Sequence, residues 1–112
     1  MKVESQKNDQ GVEIIRVSGR IDPSTSIQFE EEINKVFSSG STKLVLNLSQ
    51  VDFISSTGLR VFLTGLKKAR AQNGDLKVCC MNPNVQRLFT IAGFVSLFDV
   101  SATEEEAVTK FS

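Results

Sequence analysis

Histidine is absent from the 112 residues. That absence removes His-ligated metal sites, Ser-His and Cys-His catalytic arrangements and phosphohistidine carriers together. Long hydrophobic runs are missing as well. Apolar residues make up 40% of the chain, yet no stretch approaches the roughly eighteen consecutive apolar residues of a membrane span, so no membrane insertion is expected. The opening Met1-Lys-Val-Glu-Ser-Gln-Lys7 has no apolar segment followed by a small-residue cleavage site, which points to the cytoplasm. Neither sign of charge is in excess: 13 basic and 13 acidic residues give a net charge of zero. Without a basic stripe, nucleic acid is not an expected partner. Lys67, Lys68 and Arg70 are the densest basic group, and they suit the solvated face and C-terminal dipole of a helix. Cysteine is confined to Cys79 and Cys80. They are adjacent in an apolar run, and alternation along a strand would point them to opposite faces, so neither a disulfide nor a redox pair is expected. No Gly-rich phosphate loop, receiver-type acidic cluster or metal constellation is present. These absences predict a protein that is not an enzyme and has no cofactor and no metal.

What is present reads as one domain, residues 1–112, long enough to bury a core without disulfides or metal. Its organising stretch is Leu44 to Leu63. Leu44, Val45, Leu46 and Leu48 form the near-continuous apolar run of a buried strand. Leu59, Phe62, Leu63 and Leu66 recur at i, i+3, i+4 and i+7, the period of a helix with one buried face. Between them lie Ser55, Ser56, Thr57 and Gly58, at the start of a helix predicted to begin near Thr57. Unpaired N–H groups and the positive dipole end favour an oxygen or an anion there. Thr57 is a candidate N-cap, and three successive hydroxyls exceed what one cap needs.

On either side the pattern alternates. Val3 to Gln6 and Val12 to Val17 read as an antiparallel hairpin around Asn8-Asp-Gln-Gly11, with the consecutive Ile14 and Ile15 breaking the alternation. A helix follows with Phe29, Ile33, Val36 and Phe37 on one face. Asp22 before Pro23 is a plausible cap, with Ser24 or Thr25 as substitutes, and Glu30-Glu-Glu32 is placed in the helix's early, solvated part. Asn73-Gly74 suits a left-handed helix stop. Leu76 to Met81 reads as a strand, and Asn82-Pro83 opens a helix with Val85, Leu88, Phe89 and Ala92 on one face, closed by Gly93. Leu97, Phe98 and Val100 suggest a short last strand. Thr103-Glu-Glu-Glu106 has the capping-box form for a final helix containing Ala107, Val108 and Phe111. The whole predicts an α/β domain with a mixed sheet of about five strands and about four helices.

Gly19-Arg-Ile-Asp22, Leu44-Val-Leu-Asn-Leu48, Val51-Asp-Phe-Ile-Ser-Ser-Thr-Gly-Leu59 and Val85-Gln-Arg-Leu-Phe89 with Gly93 occur in this order. Together they resemble the signature segments of the STAS domain, above all its stand-alone bacterial form, the anti-sigma-factor antagonist. The resemblance covers about Val3 to Phe111. It implies a non-enzymatic binding protein that holds an anti-sigma factor, itself a serine kinase, while unphosphorylated. Phosphorylation of a hydroxyl in the strand-to-helix turn releases that partner, and a PP2C-type phosphatase restores binding. Aligning Thr57-Gly58-Leu59 with the family pattern makes Ser56 the acceptor, with Ser55 and Thr57 as second choices. The implied partner surface comprises Arg20, Asp22, Ser24, Thr25, Ser55, Ser56, Thr57, Gly58 and Arg60. Two positions depart from the pattern: Ser55 stands where those members carry Asp, and Arg60 where they carry a second Gly. The alternative within the same fold is a constitutive interaction module of a transport or signalling complex, with no phosphorylation.

Overall fold

In the computed structural model, which describes residues 1–112, Asn8 sets the first turn. Its side-chain oxygen accepts from the N–H groups of Gln10 and Val12, both at 2.9 Å. The turn joins β1 (Lys2–Lys7) to β2 (Val12–Ile21) as an antiparallel hairpin. Each later strand follows a helix, so each pairs in parallel with its predecessor. These are α1 (Ser26–Ser38), β3 (Lys43–Ile54), α2 (Ser56–Ala71), β4 (Asp75–Cys79), α3 (Pro83–Ile91), β5 (Val100–Ser101) and α4 (Glu104–Thr109), with one 3₁₀ turn at Phe94–Ser96. The spatial order β1-β2-β3-β4-β5 matches the chain order. The expected mixed five-stranded sheet with four helices is what the chain forms.

The sheet is buried on both faces, which explains the consecutive Ile14 and Ile15. Ile15 and Val17 join Leu44, Leu46 and Leu48 beneath α1, α2 and α3, while Ile14 joins Val12, Val45 and Cys79 beneath Ala107 of α4. The larger core is fastened by phenylalanines from three helices. Phe62 lies 5.0 Å from Phe29 and 5.4 Å from Phe89 between ring centroids, and Phe89 continues to Phe94 and Phe98 at 5.6 Å each. Two glycines allow close approach. A Cβ on Gly65 would stand 3.0 Å from Leu76 Cδ1, and one on Gly74 would overlap the Thr42 carbonyl.

Several boundaries move. Strands β2 and β3 run on to Ile21 and Ile54, so β2 extends past the expected end at Val17 and takes in Gly19-Arg-Ile21. Irregular pairing near Val17 and Gly19 carries both strands past their polar positions. Helix α1 begins at Ser26, later than an Asp22 cap would require, because Asp22 uses its carboxylate to fold a turn ahead of the helix. Its first turn therefore holds no acidic residue, and Glu30 falls in the second turn. Asn73 takes the left-handed conformation expected of a helix stop (φ 64°). Asn82 caps α3, accepting from Val85 N–H at 2.9 Å, with Pro83 at its first position. Ala92 is exposed beyond the end of α3 and does not belong to its buried face. Leu97 and Phe98 precede the two-residue β5, since their N–H groups bond back to the Phe94 carbonyl and close the 3₁₀ turn. Thr103 caps α4 by accepting from Glu106 N–H at 3.1 Å, and Phe111 lies just past the helix. Strand β4 stops at Cys79, and the cysteine sulfurs lie 3.3 Å apart instead of on opposite faces, because Cys80 leaves the strand at φ 64°.

Candidate functional site

Strands β2 and β3 end side by side, with Ile21 in register with Ile54. Ser55 N–H donates to the Ile21 carbonyl at 2.7 Å, so the Asp22–Thr25 turn and the start of α2 leave the sheet from adjacent points. One residue, Ser55, separates strand from helix. Its extended backbone (φ −78°, ψ 171°) and a side-chain oxygen that accepts from Gly58 N–H at 3.2 Å make it the N-cap. Helix α2 accordingly starts at Ser56, and the cap is Ser55, not the candidate Thr57. Serine is among the preferred N-cap residues.

The three hydroxyls separate into two kinds. Ser55 Oγ and Thr57 Oγ1 lie 2.8 Å apart in a mutual hydrogen bond, and both residues are half-buried. Ser56 occupies the first helical position, is exposed and takes no part in the cap. Gly58 is buried under the turn. A Cβ there would meet Ile21 Cγ2 at 2.7 Å and Ile54 Cγ2 at 2.9 Å, so its part is to let α2 descend onto the strand ends. Arg60 is exposed one turn along and lines a cleft of about 190 Å³ between α1 and α2 with Ser26, Ile27, Glu30, Thr57 and Val61.

The neighbouring turn is held by Asp22. One carboxylate oxygen accepts from Ser24 Oγ at 2.7 Å and from the N–H groups of Ser24 and Thr25 at 3.0 Å each. The Ser24 hydroxyl first, then the Thr25 N–H, lowers the Asp22 pKa to about 2. Thr25 fills the N-cap position of α1 without capping it, since its Oγ1 instead accepts from Asp22 N–H and donates to the Arg20 carbonyl. Arg20 departs from the group. Alternation turns its side chain to the opposite sheet face from Ile21, where the guanidinium lies 4.6 Å from the centre of the Phe53 ring.

Sequence reasoning passed over Ile27, which stands 63% exposed beside this cleft. Its signal was available: it is an apolar residue out of phase with the buried Phe29, Ile33, Val36 and Phe37. The arrangement offers an exposed hydroxyl at a helix start, a small apolar contact and a turn rigidified by hydrogen bonds. No three His, Cys, Asp or Glu side chains cluster as a metal would need.

The STAS domain family model matches residues 4–107, and the chain belongs to that family. Several similar proteins are named as anti-sigma factor antagonists. BtrV of Bordetella bronchiseptica, named as a candidate anti-sigma factor antagonist, is 36% identical over 111 residues, covering 99% of this chain and 95% of the relative. The anti-sigma F factor antagonist of Paenibacillus polymyxa is 30% identical over 105 residues, covering 93% and 90%. A crystal structure of an anti-sigma factor antagonist from Mycobacterium paratuberculosis superposes with a TM-score of 0.88 at 28% identity, covering 97% of this chain and 92% of that one. No helix is long and apolar enough to cross a membrane.

Proposed function

We propose that this chain is an anti-sigma factor antagonist acting in the cytoplasm, a binding protein without catalytic turnover, switched by phosphorylation of Ser56. In its unmodified form it binds an anti-sigma factor with serine kinase activity through the Ser55–Arg60 turn and the Asp22–Thr25 turn beside it. Phosphorylation of Ser56 by that partner releases it, and a PP2C-type phosphatase restores binding. The observation that carries this reading is the contrast among the hydroxyls: Ser55 and Thr57 are engaged with each other, whereas Ser56 is exposed at the first position of a sixteen-residue helix.

The sign of the effect follows from electrostatics. A phosphoserine adds about −1.5 to −2 charges, which the N–H groups and dipole of a helix start accommodate, so the fold survives. The same group in a close-packed interface without an opposing cation must be desolvated, at a cost of several kcal/mol. At about 1.4 kcal/mol per decade, binding weakens by roughly a hundredfold or more. Calorimetric titration with the anti-sigma factor tests this. Ser56→Ala is expected to bind and to resist release, and Ser56→Asp to bind at least about tenfold more weakly with a nearly unchanged melting temperature. Equal binding by Ser56→Asp and the parent, with Ser55→Asp weakened, would move the acceptor to Ser55. If neither charge matters, the chain is a constitutive module.

A further inference from the structure

The Cys79 and Cys80 sulfurs, 3.3 Å apart, are brought together by the backbone. Cys80 sits at φ 64°, a conformation that non-glycine residues rarely adopt, and its N–H donates to the Ser101 carbonyl at 3.2 Å. That turn swings the second thiol back over the first. Cys79 is wholly buried among Val12, Ile14, Val45 and Ala107, and Cys80 is half-buried at the edge of the same cluster. Ser101 is in register with Cys79 and so shares its sheet face. Its hydroxyl is the only buried side-chain polar atom without a hydrogen-bond partner.

We propose that Cys79 and Cys80 form a vicinal dithiol site for a single soft, thiophilic centre, with trivalent arsenic oxides and oxyacids as the ligand class. The geometry disfavours two other uses of the pair. Adjacent Cα atoms are about 3.8 Å apart, short of the roughly 4.4 Å at which disulfides begin to occur, so closing the pair on itself is strained. A tetrahedral zinc ion with bonds of about 2.3 Å would spread its two sulfurs to about 3.8 Å and would still need further ligands. An atom holding both sulfurs at about 2.3 Å with near-right-angled bonds spans about 3.3 Å, the separation found here.

The chemistry balances without an oxidant. In R–As=O each thiol proton passes to the arsenic-bound oxygen, two As–S bonds replace the As–O bonds, and one water leaves with arsenic still trivalent. The half-exposed Cys80 gives entry and Cys79 completes the chelate. The product carries no charge, which suits the apolar side of the site. Burial above all pushes the Cys79 thiol pKa up, so a reaction that leaves no standing thiolate fits this place.

Phenylarsine oxide, followed by intact mass and circular dichroism on the folded chain, tests the site. The expected result is one adduct per chain, equal to one reagent less one water, that survives excess monothiol and is removed by a dithiol. Cys80→Ser keeps nearly the same volume at the rim of the cluster, so it is expected to retain the fold while losing affinity by about a hundredfold, the loss of a two-point attachment. Cys80→Ser binding as tightly as the parent, an adduct stripped from the parent by monothiol, or an adduct formed only in denaturant would each overturn the assignment.

Discussion

The two faces of the sheet are closed by different means. Beneath α1, α2 and α3 lies a cluster of 22 buried apolar residues. Beneath the six-residue α4 only five residues are buried in common, and charges supply the rest. Arg16 grips Glu104 at 2.9 and 3.1 Å, Asn47 adds a bond to the same carboxylate at 2.9 Å, and Lys77 lies between Asp75 and Asp99 at 3.1 Å from each. Apolar burial is non-directional and does not titrate, whereas ion pairs respond to acid and salt. The candidate binding turn stands at the end of the apolar face, where Ile21, Ile54 and Gly58 set it on packed core. A partner surface of fixed shape gains from that placement, since binding then orders little that was mobile.

The largest expected effect comes from cutting the apolar face at its centre. Phe62 touches Phe29, Phe89 and Phe98, one ring from each of three other segments. Phe62→Ala is expected to cost about 3–5 kcal/mol in urea unfolding. A loss under about 1 kcal/mol would mean that the three helices do not share a core and that the contrast between faces is wrong. Gly58→Ala comes next, at about 1–3 kcal/mol, because the added methyl meets the stiff branched carbons of Ile21 and Ile54. It should also weaken partner binding by lifting the start of α2. Stability lost with affinity unchanged would detach the turn from the interface.

A smaller effect distinguishes the hydroxyls. Ser55→Ala removes the cap on Gly58 N–H and should cost about 0.5–2 kcal/mol, whereas Ser56→Ala should leave thermal melting nearly unchanged. Equal losses at the two positions would contradict the division between a structural and a presented hydroxyl.

Most of the apolar face was legible in the sequence because its signal is periodic. Phe29, Ile33, Val36 and Phe37 announce their helix, and Leu44 to Leu48 their strand. The other face left weaker marks. Ile14 belongs to the smaller cluster and its neighbour Ile15 to the larger, so burial on both sides looked like broken alternation. Cys80 was misread because alternation holds only while the strand lasts, and its left-handed backbone has no compositional signal. At the site, the run of hydroxyls located the turn but not its frame. Ser55 and Thr57 are both good caps, and the choice is made by where β3 ends, which depends on its pairing with Ile21. The resemblance grouped the exposed Arg20 with Asp22, although alternation sends its side chain to the opposite sheet face from Ile21.

The smallest effect is the pH dependence of the α4 face, whose ion pairs give way at milder acid than Asp22, held at a pKa of about 2 in its turn. The Arg16 hydrogen bond, more than the one from Asn47, holds the Glu104 pKa below its ordinary value against the opposing push of burial. Burial is the largest single influence on Asp99 and acts upward, but the hydrogen bonds and charges of Lys110 and Lys77 together lower it. A carboxylate whose pKa is depressed by folding contributes stability that is fully present above its unfolded value, about 4.3 for Glu and 3.9 for Asp, and is lost as pH falls through the folded value. The chain should therefore be insensitive between about pH 6 and 8 and weaken below about pH 5, with α4 affected first. Glu104 and Arg16 are partly exposed, so their pair is worth about 1 kcal/mol or less at neutral pH. Urea midpoints of the parent and Glu104→Gln should differ at pH 7 and converge as the parent's carboxylate becomes protonated. Amide exchange should place the acid-induced opening in Glu104–Thr109, leaving Phe62 and its neighbours protected. If α2 opens together with α4 in mild acid, the two faces form one cooperative unit and their different construction has no energetic consequence.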